Sequence, residues 1–170
     1  ISGEGGNDRL YGLDGADEMY GNSGKDKLYG GNGDDYLSGG KGKDKLVGGS
    51  GADILDGGPG KDKLTGGADA DTFVFSSTLK KNVYDRITDF ASGVDKIDLT
   101  AIDAISSTAA IDSFKFIGAA AFDGTAGELD FGYSSSTGIT TLQGDINGDK
   151  VADFVIDLTG AISINVSDLV

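Results

Sequence analysis

The chain has 170 residues, and its 14 Lys and Arg against 28 Asp and Glu give a net charge of −14 at pH 7. This charge argues against nucleic acid or an anionic membrane surface as a partner, since both would repel the chain. The chain has no Cys, which excludes disulfides, and no His, which excludes His-based zinc sites and the Ser-His-Asp triad. No apolar run approaches the ~20 residues that a membrane-spanning helix needs.

A nine-residue unit is repeated eight times without a gap between residues 3 and 74. Each unit begins with Gly, carries Asp at its sixth place and has a large apolar residue at its eighth place. So regular a period predicts a repeat architecture. The sixth-place residues are Asp8, Asp17, Asp26, Asp35, Asp44, Asp53, Asp62 and Asp71. The eighth-place residues are Leu10, Met19, Leu28, Leu37, Leu46, Leu55, Leu64 and Phe73.

Each unit predicts a Gly-rich turn followed by a very short strand whose middle side chain faces inward. One apolar side chain per unit can fill the narrow gap between two parallel sheets of a coil that makes one turn every two units. Units i and i+2 then stack, which brings together Asp8/Asp26, Asp17/Asp35, Asp26/Asp44, Asp35/Asp53, Asp44/Asp62 and Asp53/Asp71. Strands stack ~4.8 Å apart, so these carboxylates repel unless a cation lies between them. Oxygen donors on flexible loops favour Ca²⁺ over Mg²⁺.

The units resemble the nonapeptide G-G-x-G-x-D-x-hydrophobic-x of RTX (repeats-in-toxin) proteins, whose parallel β-roll binds calcium. The resemblance implies about six Ca²⁺ ions between stacked turns, held by the sixth-place Asp and by backbone carbonyls of two turns. The carbonyl donors that it implies include Gly24, Gly31, Gly33, Gly40, Gly42, Gly49, Gly51, Gly58 and Gly60. Glu4, Leu13 and Asn22 replace the second-place Gly, which predicts a less regular start. Asp69 replaces a fourth-place Gly and is a further candidate ligand.

After the repeats, the segments 85–90 (DRITDF) and 95–99 (DKIDL) alternate apolar and acidic residues and predict the last layers of the roll. Their inward residues would be Ile87, Phe90, Ile97 and Leu99. Asp89, Asp95 and Asp98 would either cap the final ions or face water. Residues 100–104 predict a short helix and residues 114–117 a strand.

Three segments of period two then predict an antiparallel meander. The first has Leu129, Phe131 and Tyr133 on one face, the second contains Thr140, Leu142 and Ile146, and the third contains Phe154, Ile156 and Leu158, with Ile162, Ile164 and Val166 as a candidate fourth strand. We therefore expect an all-β fold in two domains, a parallel β-roll over residues 1–75 and a capping β domain over residues 76–170. The cap would cover the strand edges and apolar seam of the roll.

The second half resembles the C-terminal domain of serralysin-type secreted metalloproteases, on the segments DRITDF, GVDKIDL, FKFIGAAAF, AGELDF and TLQGDINGDKVADFVIDLTG. The resemblance implies a non-catalytic, extracellular calcium module that is unfolded at low calcium and folds outside the cell. It also implies export by a type I machinery that reads an uncleaved C-terminal signal, here 165–170. Because the repeat is already in phase at Gly3, we expect the active site of a parent metalloprotease, or other hydrolase, lyase or epimerase, to lie upstream.

Three alternatives stay open. Residues 145–153 form either a calcium loop, with Asp145, Asn147, Asp149 and Asp153 as donors, or a metal-free hairpin at Asn147-Gly148. A glycan-binding or adhesin module would use exposed tyrosines to stack on a polysaccharide, namely Tyr11, Tyr20, Tyr29 and Tyr36. Catalysis within the chain would rest on paired carboxylates such as Asp123 and Glu128.

Overall fold

The computed structural model describes residues 1–75, 84–104 and 112–170. Apart from one 3₁₀ helix at Val166–Asp168, every regular element in these ranges is a β-strand. The strands are β1 (Arg9–Asp14), β2 (Glu18–Tyr20), β3 (Ser23–Gly24), β4 (Lys27–Asn32), β5 (Tyr36–Ser38), β6 (Lys41–Gly42), β7 (Lys45–Ser50), β8 (Ile54–Asp56), β9 (Lys63–Ala68), β10 (Thr72–Val74), β11 (Asp85–Ile87), β12 (Lys96–Asp98), β13 (Lys115–Gly118), β14 (Glu128–Ser134), β15 (Ile139–Asp145) and β16 (Phe154–Thr159). The expected all-β fold is confirmed. No helix within the described ranges is long and apolar enough to cross a bilayer.

The repeats coil into two parallel sheets that face each other. β1, β4, β7 and β9 pair in parallel on one side, and β2, β5, β8 and β10 on the other. The register is 18 residues per turn on both sides, as Leu10 lies beside Leu28 and Met19 beside Leu37. The predicted stacking of unit i on unit i+2 is therefore confirmed.

The eighth-place side chains fill the gap between the two sheets as a single apolar column. Six of them, from Met19 to Leu64, and Phe73 after them are fully buried, whereas Leu10 at the first turn is only partly buried. The column continues beyond the repeats into Ile87, Phe90 and Ile97. Because each unit contributes only one such side chain, the seam is narrow, and the turns on either side must supply the rest of the stability.

β11 and β12 add the last layers of the roll, as the alternation predicts. β11 pairs in parallel with β9, and β12 in parallel with β10. The register step grows here from 18 to 23 residues between Leu64 and Ile87. The longer step includes residues 76–83, which lie outside the described ranges.

The expected meander is present as β14, β15 and β16, which pair in antiparallel order. β16 also pairs in parallel with β11, so one nine-stranded sheet runs from β1 through the roll into the cap. The division into domains at residue 75 stays a prediction. Leu129, Leu142, Phe154, Ile156 and Leu158 are buried on the inner face of this sheet.

Two local predictions are wrong. Residues 100–104 form a turn rather than a helix, with Asp98 Oδ1 accepting from the backbone N–H and hydroxyl of Thr100. The fourth meander strand is absent, because Val166 lies in the 3₁₀ helix and is 67% exposed. The segment instead passes over Thr140, whose hydroxyl oxygen accepts a hydrogen bond from the backbone N–H of Ile162. It then continues to β12.

Candidate metal centre

The sixth-place aspartates form two columns, one along each edge of the roll. In all six predicted pairs, the backbone N–H of the earlier Asp donates to Oδ1 of the Asp one turn later, over 2.7 to 3.0 Å. Asp26, Asp44 and Asp62 belong to one column, and Asp35, Asp53 and Asp71 to the other. All six are at most 3% exposed. The repeat thus spaces buried carboxylates at one per turn on each edge.

The second oxygen of these carboxylates has no partner. Within the described ranges, Oδ2 is buried without a hydrogen bond in Asp8, Asp17, Asp26, Asp35, Asp44, Asp53 and Asp62. A buried carboxylate oxygen without a donor or a cation is strongly unfavourable. Seven equivalent oxygens without a hydrogen bond, arranged in two columns, are candidate cation ligands.

The first-place glycine makes room for this oxygen. A methyl group on Gly48 would lie 2.2 Å from Asp53 Oδ2 and 2.7 Å from the carbonyl oxygen of Gly66. The same clash with the unit's own Asp occurs at Gly30 and at Gly66. The first place is therefore restricted to Gly by the close approach of the carboxylate.

The second place is restricted by backbone conformation instead. All eight units have positive φ there, including the three units that lack Gly, where φ is 69° at Glu4, 83° at Leu13 and 71° at Asn22. The first turns therefore keep the shape of the others at a cost in backbone strain. Asp69 likewise holds the fourth place at a φ of 78°, and its Oδ2 accepts from Gly51 N–H over 3.2 Å.

Six of the nine predicted carbonyl donors have their carbonyl oxygen directed at the glycine one turn later. The carbonyl oxygen of Gly31 lies 2.1 Å from where a methyl group on Gly49 would be, and that of Gly24 lies 1.5 Å from the corresponding point on Gly42. The same close approach of a carbonyl oxygen to the glycine one turn later occurs in four more pairs, namely Gly33/Gly51, Gly40/Gly58, Gly42/Gly60 and Gly49/Gly67. Across the described ranges, no group of three or more Asp, Glu, His or Cys side chains could hold a metal ion, so these carbonyls are needed to complete any site.

Burial strongly perturbs the carboxylates near the end of the roll. Burial raises the pKa of Asp62 to about 8. The nearby carboxylates of Asp85 and Asp44 raise this pKa further, whereas the hydrogen bond from the backbone N–H of Asp44 lowers it. Burial also raises the pKa of Asp71 to about 7 and those of Asp44 and Asp53 to about 6. Such pKa shifts mean that the ionised forms of these carboxyl groups are unfavourable in the folded roll unless a positive charge lies nearby.

The structure adds two aspartates to the columns beyond the repeats. Asp85 Oδ1 accepts from Asp62 N–H over 2.7 Å, and Asp95 Oδ1 accepts from Asp71 N–H over 3.1 Å. Asp85 was not predicted, although Asp85 and Ile87 keep the two-residue spacing between the sixth and eighth places. Asp95, for which the sequence left a capping role and a solvent-facing role open, is buried, and its Oδ2 also accepts a hydrogen bond from Ala91 N–H. Asp89 accepts from Gly66 and Gly67 N–H at the edge of the last turn.

The loop 146–153 is held by its own hydrogen bonds. Asp145 is fully buried, and its two oxygens accept from the backbone N–H groups of Asn147, Gly148 and Lys150. Asp153 Oδ2 accepts from Ile146 N–H. These N–H groups bind the carboxylate that would be the first calcium ligand, so the contacts favour a metal-free hairpin over a calcium loop. The connection between β15 and β16 is nevertheless wider than a two-residue Asn-Gly turn.

The paired carboxylates considered for catalysis have structural partners. Glu128 is 1% exposed, and its Oε2 accepts from Asp123 N–H over 2.9 Å. Asp123 Oδ1 accepts from the hydroxyl and N–H of Thr125, which hold the pKa of Asp123 below its usual range. The two groups stabilise a turn in front of β14.

The C-terminal tail, residues 165–170, docks on the last layer of the roll. Leu169 pairs in parallel with Ile97, and Leu99 N–H donates to the carbonyl of Val170. Asp168 is fully buried and accepts from Ser92 Oγ and from the N–H groups of Gly93 and Asn165. Although burial alone would raise the pKa of Asp168, these hydrogen bonds hold it below its usual range.

Comparison with known proteins agrees with this architecture. The profile of the family described as Peptidase M10 serralysin C terminal matches residues 18–170. The metalloprotease AprA of Pseudomonas entomophila (strain L48) is 42% identical over 95 residues, which cover 55% of this chain and 19% of the protease. The metallopeptidase AprA of Pseudomonas marginalis is 38% identical over 100 residues, which cover 58% and 19%. The chain thus spans about a fifth of the length of these relatives.

Two solved structures from the mannuronan C5-epimerase of Azotobacter vinelandii have a similar fold. The AlgE6R3 subunit is 30% identical with a TM-score of 0.53, covering 94% of this chain and 80% of that subunit. The AlgE6R2 subunit is 25% identical with a TM-score of 0.55, covering 95% and 91%.

Coiled nonapeptide turns with two columns of aspartates, closed by an antiparallel meander, define an RTX β-roll module. The chain belongs to the serralysin C-terminal family of peptidase M10. Modules of this kind occur in enzymes as different as a metalloprotease and an epimerase.

Proposed function

We propose that this chain is a calcium-binding module that folds when Ca²⁺ is present outside the cell. The observation that carries the proposal is the set of seven buried Oδ2 atoms without partners, spaced one per turn along both edges of the roll. The sixth-place carboxylates, with the second- and fourth-place carbonyls between the turns, would hold the ions. Asp69 would contribute beside Asp71, and Asp85 would extend the first column.

The donor set suits calcium. It consists only of carboxylate and carbonyl oxygens, which are the ligands of hard cations, and Ca²⁺ takes about 6–8 of them in adaptable geometry. Bound Ca²⁺ would supply positive charge between stacked carboxylates. Six ions, one for each repeat pair, would add 12 positive charges against the net charge of −14.

The same carboxylates make folding depend on the ion. Without it, the Gly-rich turns have much backbone entropy to lose, and the buried carboxylates repel one another. A ligand that binds only the folded roll stabilises it in proportion to the logarithm of its concentration. Low cytosolic calcium would therefore leave the chain unfolded, and higher calcium outside the cell would fold it.

This behaviour suits export through a type I machinery, which would read the tail while the chain is unfolded. In the folded chain the tail is paired with β12 and Asp168 is buried, so the signal would be available only before folding. The module itself would be non-catalytic, since Asp123 and Glu128 serve a turn, and any active site would belong to a parent protein outside these residues.

The tyrosine-based glycan alternative has weaker support. Tyr11 and Tyr29 stack on each other with ring centroids 5.1 Å apart on one face, whereas Tyr20 and Tyr36 lie on the other face. A stacked pair on one face and a tilted pair on the other do not form a single flat platform for a sugar.

The proposal is tested by titrating the chelator-treated chain with Ca²⁺ while recording far-ultraviolet circular dichroism, with Mg²⁺ in parallel. We expect a cooperative gain of β-structure with Ca²⁺ alone, and about six ions per chain by calorimetry. Asp44→Asn should raise the calcium midpoint several-fold, while Asp34→Asn, at an exposed fifth place, should leave it unchanged. A chain equally folded in chelator would refute the proposal.

A further inference from the structure

The loop 146–153 contains an Asn-Gly pair that the calcium proposal does not use. Asn147 is exposed in the connection between β15 and β16, and Gly148 follows it with a φ of 77°. A methyl group on Gly148 would lie 2.7 Å from the carbonyl oxygen of Gly124 and 3.1 Å from the backbone nitrogen of Ala126. The fold therefore requires Gly after Asn147. Because Gly has no side chain, its amide nitrogen is the least hindered nucleophile that can follow an Asn.

Three hydrogen bonds align the groups that an attack of this nitrogen on the Asn side chain needs. Gly148 N–H donates to Asp145 Oδ1 over 2.7 Å, which sets a carboxylate base on the proton of the attacking nitrogen. Asp149 N–H donates to Asn147 Oδ1 over 2.8 Å, where negative charge develops during the addition. Asn147 Nδ2, the leaving nitrogen, donates to Asp153 Oδ1 over 3.1 Å. Since Asp145 is fully buried, the base is also held in place.

We propose that Asn147 is a site of self-deamidation in the folded cap, with Asp145 as the general base. The nitrogen of Gly148 forms a bond to Cγ of Asn147, and the Cγ–Nδ2 bond breaks. The proton of the Gly148 nitrogen passes through the Asp145 carboxylate and leaves with Nδ2 as ammonia, which closes a succinimide ring. Water then opens the ring. Its addition at Cγ gives aspartate at this position, and its addition at the backbone carbonyl carbon gives isoaspartate.

The other Asn-Gly pair of the chain, Asn32-Gly33, has a different environment in the roll. Gly33 N–H donates to the backbone carbonyl of Ser50 over 2.7 Å, a hydrogen bond that stacks one turn on the next. A carbonyl oxygen is a far weaker base than a carboxylate, so it does not take up the proton of the attacking nitrogen. Asn32 Nδ2 donates to Asp14 Oδ1 over 2.8 Å, so the leaving nitrogen is held as it is in the loop. The two pairs therefore differ at the nucleophile, and the folded roll should protect Asn32.

Deamidation would loosen the loop in two ways. The new carboxylate lacks the N–H group that binds Asp153 and places a like charge beside it, which is unfavourable. Isoaspartate also adds a methylene group to the backbone, next to the close approach of Gly148 to Gly124 in the turn in front of β14. Because the loss of ammonia is not reversed, the converted fraction would record how long the folded chain has existed.

The test is incubation of the full chain in saturating Ca²⁺ at neutral pH, with conversion at each Asn followed by peptide mapping and mass spectrometry. Circular dichroism of the same samples verifies folding. We expect Asn147 to convert at least about tenfold faster than Asn32, with aspartate and isoaspartate as products. In denaturant the two sites should convert at similar rates, since the unfolded chain holds neither geometry. Equal rates in the folded chain would overturn the proposal, and so would a preference for Asn147 that persists in denaturant.

Asp145→Asn tests the role of the base. The amide oxygen can still accept from Gly148 N–H but cannot take its proton, so conversion of Asn147 should slow at least about tenfold. The matched control is Asp157→Asn, which removes the same charge from β16 at the salt bridge with Arg86 and should leave the rate unchanged. An unchanged rate in a folded Asp145 variant would overturn the assignment of the base. The comparison of Asn147 with Asn32 needs no variant, so it decides the proposal even where Asp145→Asn does not fold.

Discussion

Asp85 Oδ1 accepts the backbone N–H of Asp62 over 2.7 Å, although 23 residues separate the two. Asp85 thereby takes the same position toward Asp62 that Asp62 takes toward Asp44, and it is 3% exposed. The column of carboxylates therefore outlasts the nonapeptide repeat by one turn. The end of the repeat in the sequence is not the end of the candidate metal centre.

Asp85→Asn tests this extension. The amide oxygen can still accept from Asp62, so the turn keeps its hydrogen bond, but the negative charge is lost. We expect one ion fewer in calorimetry or native mass spectrometry, and a calcium midpoint raised several-fold. Asp34→Asn, at an exposed fifth place, should alter neither quantity. An unchanged ion count in Asp85→Asn would show that the column ends at Asp62.

Gly48→Ala tests the close approach of the carboxylate at the first place. The added methyl group would lie 2.2 Å from Asp53 Oδ2, so either the carboxylate or the backbone must move. We expect a loss of about 1–3 kcal/mol in the free energy of unfolding, together with weaker calcium binding. Gly132→Ala is the control, because no atom lies within 4 Å of its added methyl group. Equal stability of the two variants, measured by urea unfolding in calcium, would contradict this explanation.

Leu13→Gly should stabilise the first turns. Leu13 is 69% exposed and has a φ of 83°, so its side chain contributes little packing while its backbone is strained. Relief of that strain should raise the free energy of unfolding by up to ~1 kcal/mol, after subtraction of the larger entropy that Gly gives the unfolded chain. A lower calcium midpoint in circular dichroism would support this, and Leu13→Asn should show a smaller gain, since Asn tolerates positive φ better than Leu. A destabilised Leu13→Gly variant would mean that Leu13 makes a packing contribution after all.

The calcium-free chain should be more stable in mild acid. The folded pKa values of about 6 to 8 at Asp44, Asp53, Asp71 and Asp62 lie above the unfolded value of about 3.9. The folded state therefore binds more protons, and stability falls as pH rises from about 4 to about 8. Calcium must displace these protons, so its affinity should rise over the same range. The β-structure recorded by circular dichroism in chelator and the calcium affinity, each measured at several pH values, report the two opposite trends, and parallel trends would contradict the assignment.

Asp168→Asn should loosen the tail. Both oxygens of Asp168 accept hydrogen bonds, and an amide nitrogen cannot replace the one that binds Ser92 and Asn165. Leaving such buried groups unsatisfied costs about 1–3 kcal/mol. Hydrogen exchange at Leu99 and Val170 should accelerate relative to Met19 in the first turns, while Asp14→Asn on the exposed edge should change neither. Uniform exchange in the Asp168 variant would show that the tail is held by its apolar contacts alone.

The sequence predicts the roll well because its period fixes the register. Once Leu10 and Leu28 occupy equivalent places, the pairing of Asp8 with Asp26 follows directly. The place of Asp85 in the column could not be predicted from the nine-residue period, because the turn before it is longer than 18 residues. The 3₁₀ conformation of Val166 could not be predicted either, since its alternation with Ile164 is typical of a strand. The structure of this tail depends on the pairing of Leu169 with Ile97, which belongs to a layer of the roll far away in sequence.

The 18-residue turn also limits how such a chain can change in length. Odd- and even-numbered units differ, because Arg9, Lys27, Lys45 and Lys63 all come from odd units. Loss of a single nonapeptide would move every later unit to the opposite sheet, so loss of the fourth unit would separate Lys45 and Lys63 from Arg9 and Lys27 across the molecule. Loss of two adjacent nonapeptides would only shorten the molecule by one layer. The heritable building block of this roll is therefore a pair of nonapeptides, even though the motif read from the sequence is half that long.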